Sequence, residues 1–439
     1  MGKKIIVAGG GHGGIPAAAQ LAEAGFDVTV YEKGKKGQLG YDWTDIFAPQ
    51  SISIAGMNMP PRDKYEFKTD MTFYSPGGKT SVRQNVPDDE LEIKMERRDI
   101  YEMMVNHALS CGVKFEYEHT VLAPVMQGNR VIGIKTDKGD FYADLVIDAC
   151  GCESPVRSNL PDGCLIEKHP AMFEKFYIYR GFYNKAEQCG DCDKYKVFLL
   201  PESKLGIGWV ASEDEYTDLL IGRFEPFDID EVNRTAEYFR QKNKSLGTQL
   251  VRGGQFVQIP VRQPLSVLVC DGYAAIGDSA FMTVPVIGSG IANSFRASKM
   301  LAETIINDKT ETFSAETLWQ YQKAYYKNLG NGLAPLACIK LLLTQISPEQ
   351  LDFTFDNGIL TSTELTITAN STSIFDFFRL TPDLGGRGLK LMKDPDLFKK
   401  VLKAVSKAAG VYAHCLLLPE EYSKPKVKKW SDKYCKYFK

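Results

Sequence analysis

Apolar residues in the first part of the chain come in short unbroken runs. Ile5, Ile6, Val7 and Ala8 have no polar residue among them, which predicts a central parallel strand buried on both faces. A helical stretch over residues 15–24 follows and Gly25 ends it. A second strand over residues 27–31 then closes on Glu32. Leu145, Val146, Ile147 and Asp148 repeat the strand pattern. Between residues 195 and 224 the pattern changes. Segments 195–200, 206–210 and 219–224 are short and rich in aromatic and aliphatic residues, with turn residues between them, which predicts an antiparallel sheet. Further on the period is helical. Residues 335–346 are largely apolar, and Asp394 and Pro395 form an N-cap with a first-turn proline. Leu397, Phe398, Val401, Leu402 and Val405 then fall on one helical face, with Lys399, Lys403 and Lys407 on another.

The join between the first strand and helix carries the strongest chemistry. It reads Gly9, Gly10, Gly11, His12, Gly13, Gly14, a G-x-G-x-x-G at Gly9, Gly11 and Gly14. Gly9 permits a tight turn, Gly11 lets the backbone approach a pyrophosphate, and Gly14 allows the helix to pack closely on the strand. Amides at the helix start, aided by the macrodipole, favour phosphate charge. Glu32, 18 residues past Gly14, suits a ribose diol better than a 2′-phosphate, so the site fits FAD or NAD rather than NADP.

A second, distant segment separates FAD from NAD. Residues 267–276 form a short strand pattern ending at Gly277 and Asp278. Pro285, Gly288, Gly290 and Ile291 then lead into a helix. FAD is longer than NAD along its ribityl and ring parts and needs this extra support. Asp278 suits ribityl hydroxyls, and the amides of residues 288–291 suit the N1/O2 edge of the flavin.

Gly277-Asp278 with Pro285-x-x-Gly288-x-Gly290-Ile291 resembles the second FAD motif of the p-hydroxybenzoate-hydroxylase-like FAD-dependent oxidoreductases. Within that group the chain is most similar to the geranylgeranyl reductase family, whose members saturate isoprenoid double bonds. The likeness extends to Arg97-x-x-Ile100-x-x-x-Met104, where the family has an arginine contacting FAD. It also covers the strand ending at Asp148 that leads to Gly151-x-x-Ser154-Pro155-Val156-Arg157. With Gly13, Lys33 and Val121, these residues complete the expected cofactor-binding set. The resemblance implies hydride transfer from flavin N5 to a carbon–carbon double bond of a small apolar substrate, isoprenoid-like or an enone. NAD(P)H or a ferredoxin-like protein is the implied electron donor. Two departures stand out. Cys150-Gly151 replaces the superfamily's usual Asp-Gly, which favours a reductase over an oxygenase. The reductases' substrate motif is echoed only by Gly208, Trp209 and Val210, with Ala211 and Ser212 after them. An NAD(P)H-dependent flavin monooxygenase and an electron-transfer flavoprotein with a protein redox partner are the alternatives. No residue is singled out as the catalytic acid.

The expected fold is α/β: a Rossmann-type FAD-binding domain, a mixed or antiparallel β substrate domain and a helical C-terminal region. The expected divisions are 1–60, 90–160 and 260–335 for FAD; 61–89 and 161–259 for substrate; and 336–439 for the helical region. A length of 439 residues suits two or three domains. A net charge of −2 argues against nucleic acid as a partner, but it is unevenly spread. Residues 386–439 hold 14 Lys and Arg against 5 Asp and Glu, a net of +9 that leaves −11 for residues 1–385. This basic tail suits a peripheral contact with an anionic membrane or with an acidic protein partner. With no signal pattern at Met1 and no apolar run long enough to span a bilayer, a cytoplasmic location is expected. The ten cysteines are expected to be mostly free thiols. Cys150 and Cys152, Cys164, and the C-x-x-C of Cys189 and Cys192 offer either a zinc site or a redox dithiol, and no metal is expected.

Overall fold

The computed structural model describes residues 2–186, 194–366 and 384–439. Cys189 and Cys192 lie outside the described residues. The apolar run at the start becomes strand Lys4–Ala8, flanked in parallel by Leu145–Asp148 and Asp27–Glu32. Lys114–Tyr117 extends the sheet beyond Asp27–Glu32. Tyr273–Ala275 and then Val269–Cys270 extend it beyond Leu145–Asp148. Five strands run parallel, and Val269–Cys270 turns back as a short hairpin. Ile5, Ile6, Val7 and Ala8 are all buried, as an interior parallel strand requires. Helix Gly14–Glu23 makes the crossover, and Gly25 leaves it at φ +97°, a conformation glycine adopts without strain.

The three aromatic segments form adjacent antiparallel strands, Tyr195–Leu199, Gly206–Ser212 and Tyr216–Arg223. They belong to a seven-stranded mixed sheet. Lys175–Lys185 and Leu246–Pro260 continue it on one side. Met71–Tyr74, paired in parallel, and Ser81–Arg83 close the other. Only four residues of the long strand Leu246–Pro260 are buried, so its sequence carries little apolar alternation. A separate small sheet joins Thr44–Phe47 and Tyr65–Phe67 to Ile93–Glu96, which leads into helix Arg97–Ser110.

Helix Asn331–Leu343 packs against helix Pro395–Cys415 of the C-terminal region. Asp394 caps the latter, its carboxylate accepting the Leu397 amide at 3.0 Å. One expectation fails here. Leu402 is not on the buried face but 58% exposed, because the helix turns Leu397, Val401 and Val405 inward. Among the described residues no single helix is long and apolar enough to cross a membrane.

Candidate active site

The strand Lys4–Ala8 ends against the neighbouring strand, and the glycine loop turns there. Gly9 adopts φ +88°, and a Cβ on it would stand 2.7 Å from the Ala149 carbonyl oxygen. A Cβ on Gly11 meets the same oxygen at 3.0 Å, so this glycine lets the loop lie against residue 149. Gly14 is the one predicted glycine that does not line the cavity described below. Its Cβ would press on Ala149 and Val7 at 2.7 and 2.8 Å, the expected helix-on-strand contact. Glu32 reaches back to the loop, one carboxylate oxygen accepting from the Gly10 amide and the other from the Gly34 amide, each at 2.7 Å.

The second turn meets the first. A Cβ on Gly13 would stand 2.9 Å from Ile276 Cγ1, so the two motifs touch although some 260 residues separate them. Asp278 accepts from Thr283 Oγ1 at 3.0 Å. Burial pushes its carboxyl above the usual range, opposed by that hydrogen bond and by Arg97. Helices Gly14–Glu23 and Ile291–Asn307 both begin at a glycine with no side chain capping their first amides. By contrast, Asp228, Ser314, Ser347 and Asp394 cap their helices with a side chain. Two uncapped helix starts facing one cavity offer free donors and positive dipole ends to an anion.

Between the two turns sits a polar cluster. Arg97 grips Asp45 through Nε at 2.6 Å and through Nη2. Burial opposes ionisation of Asp45, yet Arg97 holds the carboxyl below its usual range. The His12 ring lies 4.9 Å from Tyr101 and 6.5 Å from Phe295. Burial, with Arg97 nearby, holds the imidazole down to about 4. Its Nε2 is buried and has no hydrogen-bond partner among the described residues.

Both glycine turns, Glu32, His12, Asp45, Arg97 and Tyr101 border a cavity of about 1120 Å³. Gly9, Gly11, Gly13, Glu32, Lys33, Arg97, Val121, Gly277, Asp278, Pro285, Gly288, Gly290 and Ile291 are on its walls. The cavity continues across the seven-stranded sheet past Phe176, Ile178, Ile207, Trp209, Leu220 and Phe224. It ends among the C-terminal helices at Leu343, Leu397, Val401 and Val405. The two parts touch where Ile259 meets the second turn, 2.7 Å from the position of a Gly288 Cβ.

The NAD(P)-binding Rossmann-like domain family matches residues 7–52. A digeranylgeranylglycerophospholipid reductase of Haloferax volcanii is 24% identical over 403 residues, covering 86% of this chain and 94% of that protein. The protein of that name in Sulfolobus acidocaldarius is 23% identical over 391 residues, 82% of each chain. Among solved structures, a geranylgeranyl bacteriochlorophyll reductase-like protein from Thermoplasma acidophilum superposes with a TM-score of 0.72. It is 18% identical and covers 90% of this chain and 99% of that one. Along most of its length the chain is therefore similar to reductases of geranylgeranyl compounds. Its fold is also shared with a probable FAD-dependent monooxygenase from Pseudomonas aeruginosa, at TM-score 0.57, 16% identity and 81% of this chain against 100% of that one.

The residues present fit FAD. The close-packed glycines, the two uncapped helix starts and the unpartnered His12 Nε2 are features a dinucleotide would complete. Three contributors carried no local signal: Asp45, Tyr101 and Arg180 reach the cavity only through the fold. Arg180 is tied to Asp218 at 2.6 and 3.0 Å and to Thr44 Oγ1 at 2.7 Å, and it lies 5.2 Å from the Trp209 ring. Asp148 also gains a role. Buried at the strand end, it accepts from Cys150 N, Ser154 Oγ, Tyr273 Oη and Ser279 Oγ, stitching the sheet to the second turn. The Cys150 thiol donates to the Ala8 carbonyl at 3.2 Å, and burial with Asp148 pushes it up, as expected of an inert thiol. The described cysteines are all free, and no metal-holding cluster occurs among the described residues.

Proposed function

We propose that this oxidoreductase saturates a carbon–carbon double bond of a long apolar, isoprenoid-like substrate lying in the aliphatic part of the cavity. The observation that carries this reading is the continuity of that cavity. At about 1120 Å³ it exceeds the ~300–1,000 Å³ usual for one ligand, leaving room for a second molecule beside a dinucleotide. In this reading Gly9, Gly11 and Gly13 with the first amides of Gly14–Glu23 hold the pyrophosphate, and Glu32 accepts from the adenosine ribose. Lys33 and Val121 flank the adenine end. Arg97, fixed by Asp45, stands at the middle, and Asp278 accepts from the ribityl chain. Pro285, Gly288, Gly290 and Ile291 border the ring. When bound, the flavin supplies the hydride. The chain's share is to bind, orient and exclude water: the aliphatic lining keeps the reacting centre dry and removes competing solvent chemistry. The substrate names of the relatives support the same class.

The helix Pro395–Cys415 supports a peripheral membrane contact. It turns Leu397, Val401 and Val405 to the cavity while Leu402 and Lys403 face outward, and Leu416 and Leu417 lie exposed just beyond it. A lipid-borne chain would then pass from bilayer to cavity beside one helix.

The test is anaerobic. Photoreduced enzyme mixed with a polyprenyl alkene should reoxidise and yield the saturated product, and NADPH or reduced ferredoxin should restore reduced enzyme. In a parallel mixture under ¹⁸O₂, label in a hydroxylated product would overturn the reading. Sedimentation with anionic but not neutral vesicles checks the membrane contact.

A further inference from the structure

A buried amine stands in the aliphatic chamber with no carboxylate against it. Lys340, on helix Asn331–Leu343, lines the cavity and is 4% exposed. Its Nζ donates to the Phe173 carbonyl at 2.9 Å and lies 5.3 Å from the centre of the Phe224 ring. Among the described residues it forms no ion pair. The acid that acts on it most is Glu174, but Glu174 and Glu167 are already held by Arg262 at 2.8 and 2.6 Å. Arg262 itself repels the amine. Burial, only partly offset by Glu174, pushes Lys340 down to about 8, so at pH 7 most molecules still carry the ammonium. Beside it the cavity wall is Ile339, Leu343, Phe224 and Val261. A buried ammonium with one carbonyl, one ring and no ion-pair partner among the described residues is costly to keep. The arrangement is complete only when something brings an anion to it.

We propose that Lys340 docks an acidic oxygen group, a carboxylate or a phosphate, at one end of an otherwise apolar substrate. This rests on the reading that the chamber takes an apolar chain, and it adds the end group that orients the chain. Phe224 packs on Phe176 with ring centres 4.9 Å apart, and Ile259 on the same wall touches the second glycine turn. An acid held at Lys340 therefore directs the attached chain along this wall toward Pro285 and Gly288.

The experiment uses the full-length FAD-loaded protein and three ligands sharing one unsaturated isoprenoid chain: the carboxylic acid, the monophosphate and the alcohol. Binding is followed by calorimetry at pH 7. One or both acidic ligands should bind about tenfold tighter than the alcohol, the scale of one buried charge pair. Which acid is preferred identifies the group. Lys340→Met should erase the preference while leaving FAD content and alcohol binding unchanged, and Lys340→Arg should keep it. In the wild type the preference should decay as pH rises through about 8, where the amine loses its proton. A preference that survives in Lys340→Met, or stays flat from pH 6.5 to 9.5, overturns the assignment. Equal binding of all three ligands overturns the assignment alone; binding of none overturns the apolar-substrate reading with it.

Discussion

The two ends of the cavity are built by different means. At the glycine end the walls are mainly backbone: glycines pressed against Ala149 and Ile276, and two helices begun without side-chain caps. At the other end the walls are side chains from strands and helices far apart in the chain, from Phe176 to Val405. A backbone site tolerates almost no added atoms, because its contacts are already near van der Waals limits. A side-chain chamber tolerates changes of shape but not of polarity, because its value lies in excluding water. The glycine end should therefore respond to volume and the chamber to charge.

The largest expected effect breaks the glycine end. Gly9→Val places a β-branched residue at φ +88° with its Cβ 2.7 Å from a carbonyl oxygen; such a conformation costs of order 1–3 kcal/mol before the clash is counted. The purified variant should be colourless and take up no FAD on addition of excess cofactor. Full flavin absorbance would show that the loop can shift, and the contrast between the two ends would fall. Next comes a charge in the chamber. Val401→Asp should lower alkene turnover more than about tenfold, since an unpaired carboxylate there is poorly solvated, while FAD content stays at the wild-type level. Loss of flavin together with turnover would mean that the two ends are not independent.

Smaller effects sharpen the picture. Asp278→Ala should weaken FAD binding by roughly 1–3 kcal/mol, the cost of unpaired buried partners, measured by fluorescence titration; an unchanged dissociation constant removes Asp278 from the site. His12→Phe keeps the ring contacts with Tyr101 and Phe295 but deletes Nε2, so FAD should bind about two- to tenfold more weakly. The same variant has a pH signature. The His12 imidazole sits at about 4, down from its ordinary 6.5, so between those values the unfolded chain takes up a proton that the folded one refuses. That contribution to stability is present above pH 6.5, is lost progressively as pH falls toward about 4, and changes no further below it. The melting temperature of the FAD-free variant should fall less over this interval than that of the wild type. Parallel slopes would show that His12 is charged in the folded protein.

How much of this was legible depended on whether the signal was local. Ile5 to Ala8, the glycine hexad, Glu32 and Gly277-Asp278 announce strand, turn, helix and ligand within a few residues each, because backbone geometry is decided by the residues that adopt it. The antiparallel segments between residues 195 and 224 were legible for the same reason, their alternation being the sheet's own period. Leu246–Pro260 was not, because a strand with so few buried residues shows no such period.

The amino-acid sequence by itself thus determined the glycine loop, the second glycine turn and the α/β character of the chain. Tertiary structure decided the rest. It brought Gly13 against Ile276, set Asp45 on Arg97, and turned Leu397, Val401 and Val405 inward while leaving Leu402 in solvent. It also carried Lys340 into an apolar chamber where it has no carboxylate partner among the described residues. Helical spacing alone cannot say which residues of a broad apolar face meet a neighbour. A charge is exposed, paired or stranded according to what folds over it, and the elements over Lys340 come from residues 173, 224 and 261.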